Sequence, residues 1–470
     1  MRERLERAAR RAAVRADEVL GDALARRAGR RASPTSRSRA DLAADVRASL
    51  CEHLLSRWYP RAVDREHGGF LSDMDWRWRP VGAQERLIVT QSRHVWTASR
   101  AAMLFPDDTA LLGASRHGFA FLRDVLWDRE RGGFHQRVAR DGRPVPDERG
   151  RFVRTTYGVT FCIFACARHW AVTRDAAALA LARDAGDWLD EHARDAEHGG
   201  WFSFLEPDGT VLRDGYGPDT AKDQNAMIHV LEAFTELYRV WPDARLRRRL
   251  EESLVLIRDR MLTPRGYLGR CFRADWTPVT WHDLPADVRG PHRHYHDHVN
   301  FGHDVETAML FVEACAALGR PDDEVTIRAA KRLIDHALRT GWDDVEGGLA
   351  DAGAYVDGSP RVTIVMPSKC WWSQAETLYA LLLFGDLFPD DPLDYHGKFL
   401  RQWRYVQRWL VDHVRGGWYD FGLDRSPSAR RAFKAHQWKE CYHEVRALIN
   451  VVERLEMAGT PELLPRSVRA

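Results

Sequence analysis

Apolar side chains recur every three or four residues along most of the chain, with polar side chains between them. In the helix predicted around His303, the apolar positions run from Val305 to Ala316, and Gly-Arg-Pro then ends the segment. This spacing lines one face of an α-helix, and glycine followed by proline is typical of a helix end. The helices predicted around His229 and His443 show the same pattern. We therefore predict an all-α protein.

A short glycine-containing sequence returns six times between these helices. Its first copy reads Asp-Arg-Glu-His-Gly-Gly-Phe, and the last glycines of the copies are Gly69, Gly133, Gly200, Gly266, Gly348 and Gly417, at intervals of 64 to 82 residues. A near-constant period indicates a repeated structural unit. Glycine supplies the positive φ of a tight hairpin turn. Each unit is long enough for two helices and a short β-hairpin.

Six helix pairs that close on themselves form an (α/α)6 toroid barrel with short β-hairpins in the connections, and we predict this fold. Residues 161–167 are apolar on most faces, as expected of an inner helix. The fourth unit is the longest, and its excess lies between Cys271 and Val299. A long loop in a compact domain is usually functional.

The repeats define one catalytic domain over residues 41–460. Residues 1–40 are rich in Arg and Ala, and we expect a helical or flexible extension there. A secretory signal is not expected, because this segment has no apolar stretch, and its acidic residues argue against a transit peptide. Residues 461–470 are expected to be a C-terminal tail.

The overall composition argues against several classes of function. The net charge of +2 predicts no nucleic-acid partner, and no apolar run approaches the roughly 20 residues of a membrane span. The seven cysteines lack zinc-like spacing and are expected to be buried, reduced thiols. We expect a cytoplasmic monomer or homodimer.

One polar or aromatic residue follows each glycine sequence by 24 to 37 residues, where the next apolar helix begins. These residues are Arg93, Tyr157, Asn225, His303, Trp372 and His443. Equivalent points of a closed ring of repeats meet at one end of the ring. We therefore expect a functional site there.

The histidines at these points favour acid–base chemistry. The i, i+3 spacing of His303 and Glu306 places both on one helix face, where a carboxylate can hold the tautomer of an imidazole and raise its basicity. A helix cap or a core histidine is the alternative interpretation. A second histidine, His443, lies at the equivalent point of another repeat. It is harder to explain both histidines as helix caps or core residues than to explain one.

Other motifs leave two interpretations open. Asn225, His229 and Glu232 form one stripe that suits either ligand binding or an internal polar cluster. Arg93 suits either an oxyanion or sugar oxygen, or a salt bridge. Trp371 and Trp372, which precede Glu376, suit stacking on a sugar ring, although core packing would account for one of them.

The sequence predicts no metal and no cofactor. His292, His294, His296 and His298 alternate strictly in the long loop, which is not a tetrahedral ligand pattern, and we interpret this segment as a polar loop bordering the site. Neither a phosphate-binding glycine loop nor a dinucleotide fingerprint is present, and there is no Gly-x-Ser-x-Gly elbow.

Five motifs, in this order, resemble those of the N-acylglucosamine 2-epimerase superfamily, which includes cellobiose 2-epimerases and mannose isomerases. They are Ser92-Arg93-His-Val-Trp-Thr, Asn225-x-x-x-His229-x-Leu-Glu-Ala, Asn300-Phe-Gly-His303-Asp-Val-Glu306, Trp371-Trp372-x-Gln-Ala-Glu376 and Trp438-Lys-x-x-Tyr-His443-x-x-Arg446. The resemblance covers about residues 41–460, and it is nearest to the cellobiose 2-epimerase branch.

The resemblance implies a cofactor-independent enzyme that moves the C2 proton of a reducing mono- or disaccharide through a cis-enediolate. It implies proton transfer by His303 and His443, with Glu306 as the partner of His303 and Arg93 nearest the enediolate. The substrate-binding candidates are His229, Asn225, Tyr157, Trp371, Trp372, Glu376 and Trp438. The alternatives are an (α/α)6 glycoside hydrolase or lyase, which needs two carboxyl groups roughly 5–9.5 Å apart, and a non-catalytic carbohydrate-binding toroid.

Overall fold

The computed structural model describes residues 2–32, 38–285, 296–457 and 459. This part of the chain is mainly helical. Its α-helices are α1 (Arg2–Arg31), α2 (Arg39–Ser49), α3 (Ser56–Ala62), α4 (Ile88–Leu104), α5 (Thr109–Phe121), α6 (Thr156–Thr173), α7 (Ala176–Trp188), α8 (Gln224–Val240), α9 (Ala244–Leu256), α10 (Phe301–Ala317), α11 (Glu324–Thr340), α12 (Trp371–Leu387), α13 (Tyr395–Tyr405) and α14 (Tyr442–Glu456).

The helices form a closed double ring, which confirms the predicted (α/α)6 barrel. Helices α4, α6, α8, α10, α12 and α14 contact one another in this order, and α14 returns to α4. Outside them, α5, α7, α9, α11 and α13 each pack on the preceding inner helix, and α2 packs on α14.

Burial follows the position of each helix in the ring. The inner helix α6 is buried without a break from Gly158 to Ala167, because it contacts neighbouring helices on most sides. The outer helix α9 buries Leu246, Leu250, Ser253 and Leu254, which recur every three or four residues on one face. An apolar stripe of this kind covers the core while the opposite face meets water.

Short strands join the repeats on the side where the inner helices begin. They are β1 (Arg86–Leu87), β2 (Arg137–Val138), β3 (Arg154–Thr155), β4 (Phe204–Leu205), β5 (Val211–Leu212), β6 (Lys222–Asp223), β7 (Cys271–Phe272), β8 (His298–Asn300), β9 (Ala352–Ala354) and β10 (Thr363–Met366). All pairs are antiparallel: β1–β2, β3–β4, β6–β7 and β8–β9 connect neighbouring repeats, whereas β4–β5 and β9–β10 are hairpins within one repeat. The predicted hairpins are thus confirmed.

Each glycine sequence forms a tight loop closed by a single antiparallel bridge. In the first repeat, Val63 bridges Phe70, and Gly68 and Gly69 have φ of 78° and 63°. Equivalent bridges join Trp127 to Phe134, Arg194 to Trp201, Leu262 to Leu268, Trp342 to Leu349 and Val411 to Trp418. The paired glycines are needed because this turn puts two successive residues at positive φ.

Buried ion pairs hold five of these loops against the start of the next inner helix. The aspartate that begins the loop meets a cation in Arg86–Asp64, Arg154–Asp128, Lys222–Asp195, Lys369–Asp343 and Lys434–Asp412. In the fourth repeat Thr263 stands at the aspartate position, and its hydroxyl oxygen lies 2.8 Å from the carbonyl oxygen of Tyr267. We call the five pairs the loop clamps.

Helix α1 lies outside the ring, against α13 and the turn at Val406–Leu410. Asp22 forms an ion pair with Arg430, and Glu18 with Arg431. Residues 33–37 of the predicted extension and residues 461–470, the predicted tail, lie outside the described residues. Among the described helices, none has the length and apolar character required to cross a bilayer.

Candidate functional site

The candidate residues gather where the inner helices begin. Tyr157, Asn225, Trp372 and His443 are each the second residue of an inner helix, and His303 is the third residue of α10. Arg93 departs from the predicted equivalence, because it is the sixth residue of α4 and lies one turn farther along its helix.

Two imidazoles flank one indole at this end of the ring. The ring centroid of Trp372 lies 5.0 Å from that of His303 and 5.7 Å from that of His443. Gly302 makes this approach possible, since a Cβ added there would lie 2.6 Å from the Trp372 ring. Both Trp372 and His303 remain partly exposed, so that a ligand at the open end can reach them.

The structure corrects the predicted partner of His303. Its Nδ1 lies 3.2 Å from Oε1 of Gln224, the first residue of α8. Glu306 instead points at Arg446, with 3.3 Å between its Oε1 and the guanidinium. Burial, and then the charge of Arg270, lower the pKa of His303 well below its usual value. The imidazole is therefore neutral near pH 7.

His443 has the carboxylate partner that His303 lacks. Its Nδ1 lies 2.6 Å from Oε1 of Glu376, which is completely buried. Glu376 was expected to bind substrate, but the structure places it behind the imidazole as the partner of the ring. Burial, and then Arg93 and Arg446, lower the pKa of His443 well below its usual value.

A buried polar cluster lies beneath the imidazoles. The Arg446 guanidinium is 2.7 Å from Oε1 of Glu232, 3.3 Å from Oε1 of Glu306 and 3.7 Å from Oε1 of Glu376. The Tyr442 hydroxyl donates to Oε1 of Glu232 at 2.6 Å. Since these groups are at most 3% exposed, they organise the site without offering a surface to a ligand.

His229 belongs to the same cluster. Its Nδ1 lies 2.7 Å from Oε2 of Glu232, and its ring meets the Tyr157 ring with 5.1 Å between centroids. Burial would raise the pKa of Glu232, but Arg446 and His229 outweigh burial and hold that pKa at about 2. For His229 and Glu232 the contacts favour the internal polar cluster, whereas Asn225 of the same stripe lines a cavity.

Arg93 lies between aromatic rings. Its guanidinium carbon is 4.3 Å from the centroid of Phe161 and 5.1 Å from that of Tyr442. It donates to the Tyr157 hydroxyl at 3.0 Å, and the nearest carboxylate oxygen, on Glu440, is 3.8 Å away. The salt-bridge interpretation of Arg93 is therefore weak.

Beside this centre, a cavity of about 510 Å³ opens at the mouth of the ring. Tyr157, Asn225 and Trp438 line it, whereas His303 and His443 do not. Trp438 is 45% exposed. Because Tyr157 also bonds Arg93, it connects the cavity to the buried groups.

Some predicted residues do not join this centre. Trp371 packs against Lys439, with 4.8 Å between Nζ and the ring centroid, and against the ring of His436. Core packing thus accounts for one of the two tryptophans, as the sequence suggested. Of the alternating histidines, positions 292 and 294 lie outside the described residues.

Two sets of side chains could supply metal ligands. His229, Glu232 and Glu306 bring their ligand atoms within 4.8 Å of one another, as do Glu306, Glu376 and His443. The Arg446 guanidinium contacts a carboxylate of each set. A permanent cation therefore already lies against both sets and offsets part of their negative charge.

Sequence reasoning missed Gln224, Tyr442 and Arg446 as parts of the site, and it named Glu232 only as a member of the stripe with His229. Arg446 was visible only as the end of a motif, three residues after His443. The i, i+3 spacing from His229 to Glu232 was the available signal for that pair. Gln224 gave no signal, because its contact with His303 joins two different helices.

Comparison with known proteins identifies the family. The model of the N-acylglucosamine 2-epimerase family matches residues 68–447. Cellobiose 2-epimerase of Bacteroides fragilis is 26% identical over 418 residues, covering 87% of this chain and 98% of that protein. D-mannose isomerase of Marinomonas mediterranea is 23% identical, covering 86% and 96%.

A solved structure agrees with this assignment. The structure of cellobiose 2-epimerase from Spirochaeta thermophila has a TM-score of 0.75 and 28% identity, covering 89% of this chain and 97% of that one. The chain therefore belongs to the N-acylglucosamine 2-epimerase family, whose members are carbohydrate epimerases and isomerases.

Proposed function

We propose that the protein is a sugar 2-epimerase or aldose–ketose isomerase that moves the C2 proton of a reducing mono- or disaccharide without a cofactor or metal ion. The observation that carries this proposal is the pair of imidazoles, His303 and His443, on either side of Trp372. The activities named for the family members support the same reaction class.

The imidazoles have the chemistry that the reaction needs. Burial lowers the pKa of both rings, so each is neutral near pH 7 and can accept a proton. In an open-chain aldose, the C1 carbonyl acidifies the hydrogen on C2. One imidazole removes this proton and leaves a cis-enediolate. A proton returned to the opposite face of C2 gives the epimer, and one returned to C1 gives the ketose.

Arg93 and Trp372 would position the sugar. The Arg93 guanidinium is permanently charged and lies beside Tyr157, so it can stabilise the negative oxygen of the enediolate. Trp372 offers a partly exposed ring face between the two imidazoles. Asn225 and Trp438 line the mouth cavity, where they would contact the sugar hydroxyls and any second sugar ring.

A glycoside hydrolase is the weaker alternative. It needs carboxyl groups on either side of the scissile bond, but Glu306 and Glu376 are completely buried, and their contacts are with Arg446 and His443. A non-catalytic binding protein is the other alternative. In such a protein, replacing either histidine would leave the affinity for sugar unchanged.

Incubation with mannose, glucose, N-acetylglucosamine and cellobiose in deuterated water tests the proposal. We expect at least one sugar to exchange its C2 proton for deuterium and to yield its C2 epimer or ketose, measured by NMR. The same activity should survive exhaustive treatment with EDTA. Release of shorter sugars without C2 exchange would favour the hydrolase, and loss of activity that a divalent ion restores would disprove metal independence.

A further inference from the structure

Arg446 shares one positive charge among three carboxylates, and it does so unequally. Glu232 receives the shortest contact, at 2.7 Å, and also bonds Tyr442 and His229. Glu376 is 3.7 Å from the same guanidinium nitrogen, and its buried Oε2 has no hydrogen-bond partner. The guanidinium therefore compensates Glu376 only partly.

The protonation state of Glu376 decides the tautomer of His443. If Glu376 is ionised, it accepts a hydrogen bond from Nδ1–H across their 2.6 Å contact. The other ring nitrogen, Nε2, then carries no proton and can accept one. If Glu376 is protonated, it donates to Nδ1, and the neutral ring must then carry its own proton on Nε2. Only the first state can remove a proton from a sugar.

We propose that Arg446 is a positioning residue of the epimerisation reaction: its charge lets Glu376 ionise and so holds His443 as the Nδ1-protonated tautomer. This inference rests on the proposed function. Arg446 is 2% exposed and lies behind the imidazole, so it acts through Glu376 and does not touch the sugar.

The electrostatics of the cluster support this role. Burial raises the pKa of Glu376 well above its usual value, Glu306 and Glu232 raise it further, and Arg446 is the largest opposing influence. The charged and titratable groups facing the cluster from the other helices are Arg93, Tyr157, His229, Glu232, His303, Glu306, Glu313, Tyr442 and His443. Arg93 adds a second permanent positive charge beside Arg446, and Arg270 adds a third that acts on His303.

The charges of the cluster determine the direction in which kcat depends on pH. Ionised Glu376 is populated as the pH rises through its raised pKa, so the acid limb of kcat should lie well above the ordinary range of a carboxyl group. Removing Arg446 raises that pKa further. The acid limb should then move to higher pH, with little change in KM because the sugar does not meet Arg446.

The test compares Arg446→Met and Arg446→Lys with Arg454→Met. Arg454 lies two turns farther along α14 and contacts Asp386 at 2.7 Å, so its loss removes an ion pair on the same helix but far from His443. We expect Arg446→Met to move the acid limb by about one pH unit or more, Arg446→Lys to restore most of this shift, and Arg454→Met to leave the limb in place.

A second measurement does not depend on activity. In protein labelled with ¹⁵N-histidine, long-range ¹H–¹⁵N spectra of the free enzyme report which ring nitrogen of His443 carries the proton, and His443→Asn assigns the signal. As the pH rises, we expect the proton of the neutral ring to change from Nε2 to Nδ1, and this change should occur at a higher pH in Arg446→Met than in the wild type. An unchanged pH of this tautomer change and an unchanged acid limb in folded Arg446→Met would overturn the inference.

Folding of the variants is the remaining risk. If Arg446→Met does not fold, Arg446→Met combined with Glu232→Gln keeps the net charge of the cluster and should show the same direction of change, and an unchanged pH of the tautomer change there would again overturn the inference. A wild-type protein without C2 exchange on any sugar would refute the proposed function. The tautomer measurement would still decide the role of Arg446.

Discussion

The fourth repeat differs from the other five at the point where the loop meets the inner helix. Five repeats carry a loop clamp, such as Lys222–Asp195 with 2.8 Å between Nζ and the carboxylate. The fourth has Thr263 at the aspartate position and a single glycine, Gly266, with φ of 98°. It also carries the longest connection, from Cys271 to Val299, and it presents His303.

The contrast isolates one altered contact in the ring, although His443 opens the inner helix of a clamped repeat. In a clamped repeat, the cation that precedes the inner helix pairs with the aspartate of the loop and so connects the helix start to that loop. In the fourth repeat, His298 occupies the strand just before α10, and the buried carboxyl of Asp304 accepts the amide hydrogen of Leu268 at 3.0 Å. The ring thus tolerates one repeat in which the contact between the glycine loop and the inner helix is altered. We call this contact the fourth joint, and His303 lies beside it.

Loss of a clamp should give the largest effect on stability. Lys222 is completely buried and also donates to the carbonyl oxygens of Gly199 and Ala274. Lys222→Met leaves Asp195 as a buried, uncompensated charge, and we expect a loss of about 3–5 kcal/mol in the free energy of unfolding. Urea titration measures it. The control is Arg328→Met, which removes an exposed ion pair with Glu324 and should cost about 0–1 kcal/mol.

The two imidazoles, His303 in the fourth repeat and His443 in a clamped repeat, should instead matter for activity. We expect His303→Asn, and likewise His443→Asn, to lower kcat at least about 10²-fold, the lower end for positioned acid–base catalysis, with little change in Tm. His67→Asn, in the loop of a clamped repeat, is the control and should leave kcat as it is. Full activity in either site variant would remove that histidine from the mechanism.

Acid should weaken the clamps but not the fourth joint. Burial would raise the pKa of Asp64, but Arg140, two backbone amides and Arg86 outweigh burial and hold it at about 2. Since the unfolded value is about 3.9, this contribution of about 2 kcal/mol is present above pH 4 and disappears as the pH falls towards 2. Asp64→Asn should flatten the stability curve between pH 4 and 2, whereas Thr263→Ala should leave its shape unchanged.

The smallest expected effect concerns Thr263 itself. Its hydroxyl oxygen accepts the amide hydrogen of Tyr267 at 3.3 Å and donates to the carbonyl oxygen of the same residue. Thr263→Ala should therefore cost about 1 kcal/mol, measured by urea titration. Asp195→Ala should cost clearly more, because it leaves Lys222 unpaired. Equal costs would show that the fourth joint is as strongly held as the clamped ones.

The fold could be predicted because its signals are local and repeated. The glycine pairs mark turns that only glycine adopts easily, as the positive φ of Gly132, Gly133, Gly199 and Gly200 confirms. The apolar period marks the helices. The clamps were missed because Asp64 and Arg86 lie 22 residues apart. Aspartate and arginine are also common residues, and nothing in the sequence indicates which two will pair.

The candidate site could be predicted in its members but not in its pairing. His303, His443 and Trp372 were recognised from motifs and come together as expected. The i, i+3 rule paired His303 with Glu306, yet the structure pairs His303 with Gln224 and His443 with Glu376. Helix geometry restricts which residues share a face, but a neighbouring helix can offer a shorter contact.

The sequence by itself determined the helices, the six-fold repeat and the end of the ring at which the candidate residues lie, because each depends on spacing along the chain. Only the tertiary structure decided the partners of each imidazole and the central place of Arg446. Its contacts with Glu232, Glu306 and Glu376 span up to 214 residues of sequence. Such contacts arise when the ring closes, since closure directs side chains of α8, α10, α12 and α14 towards one another at its centre.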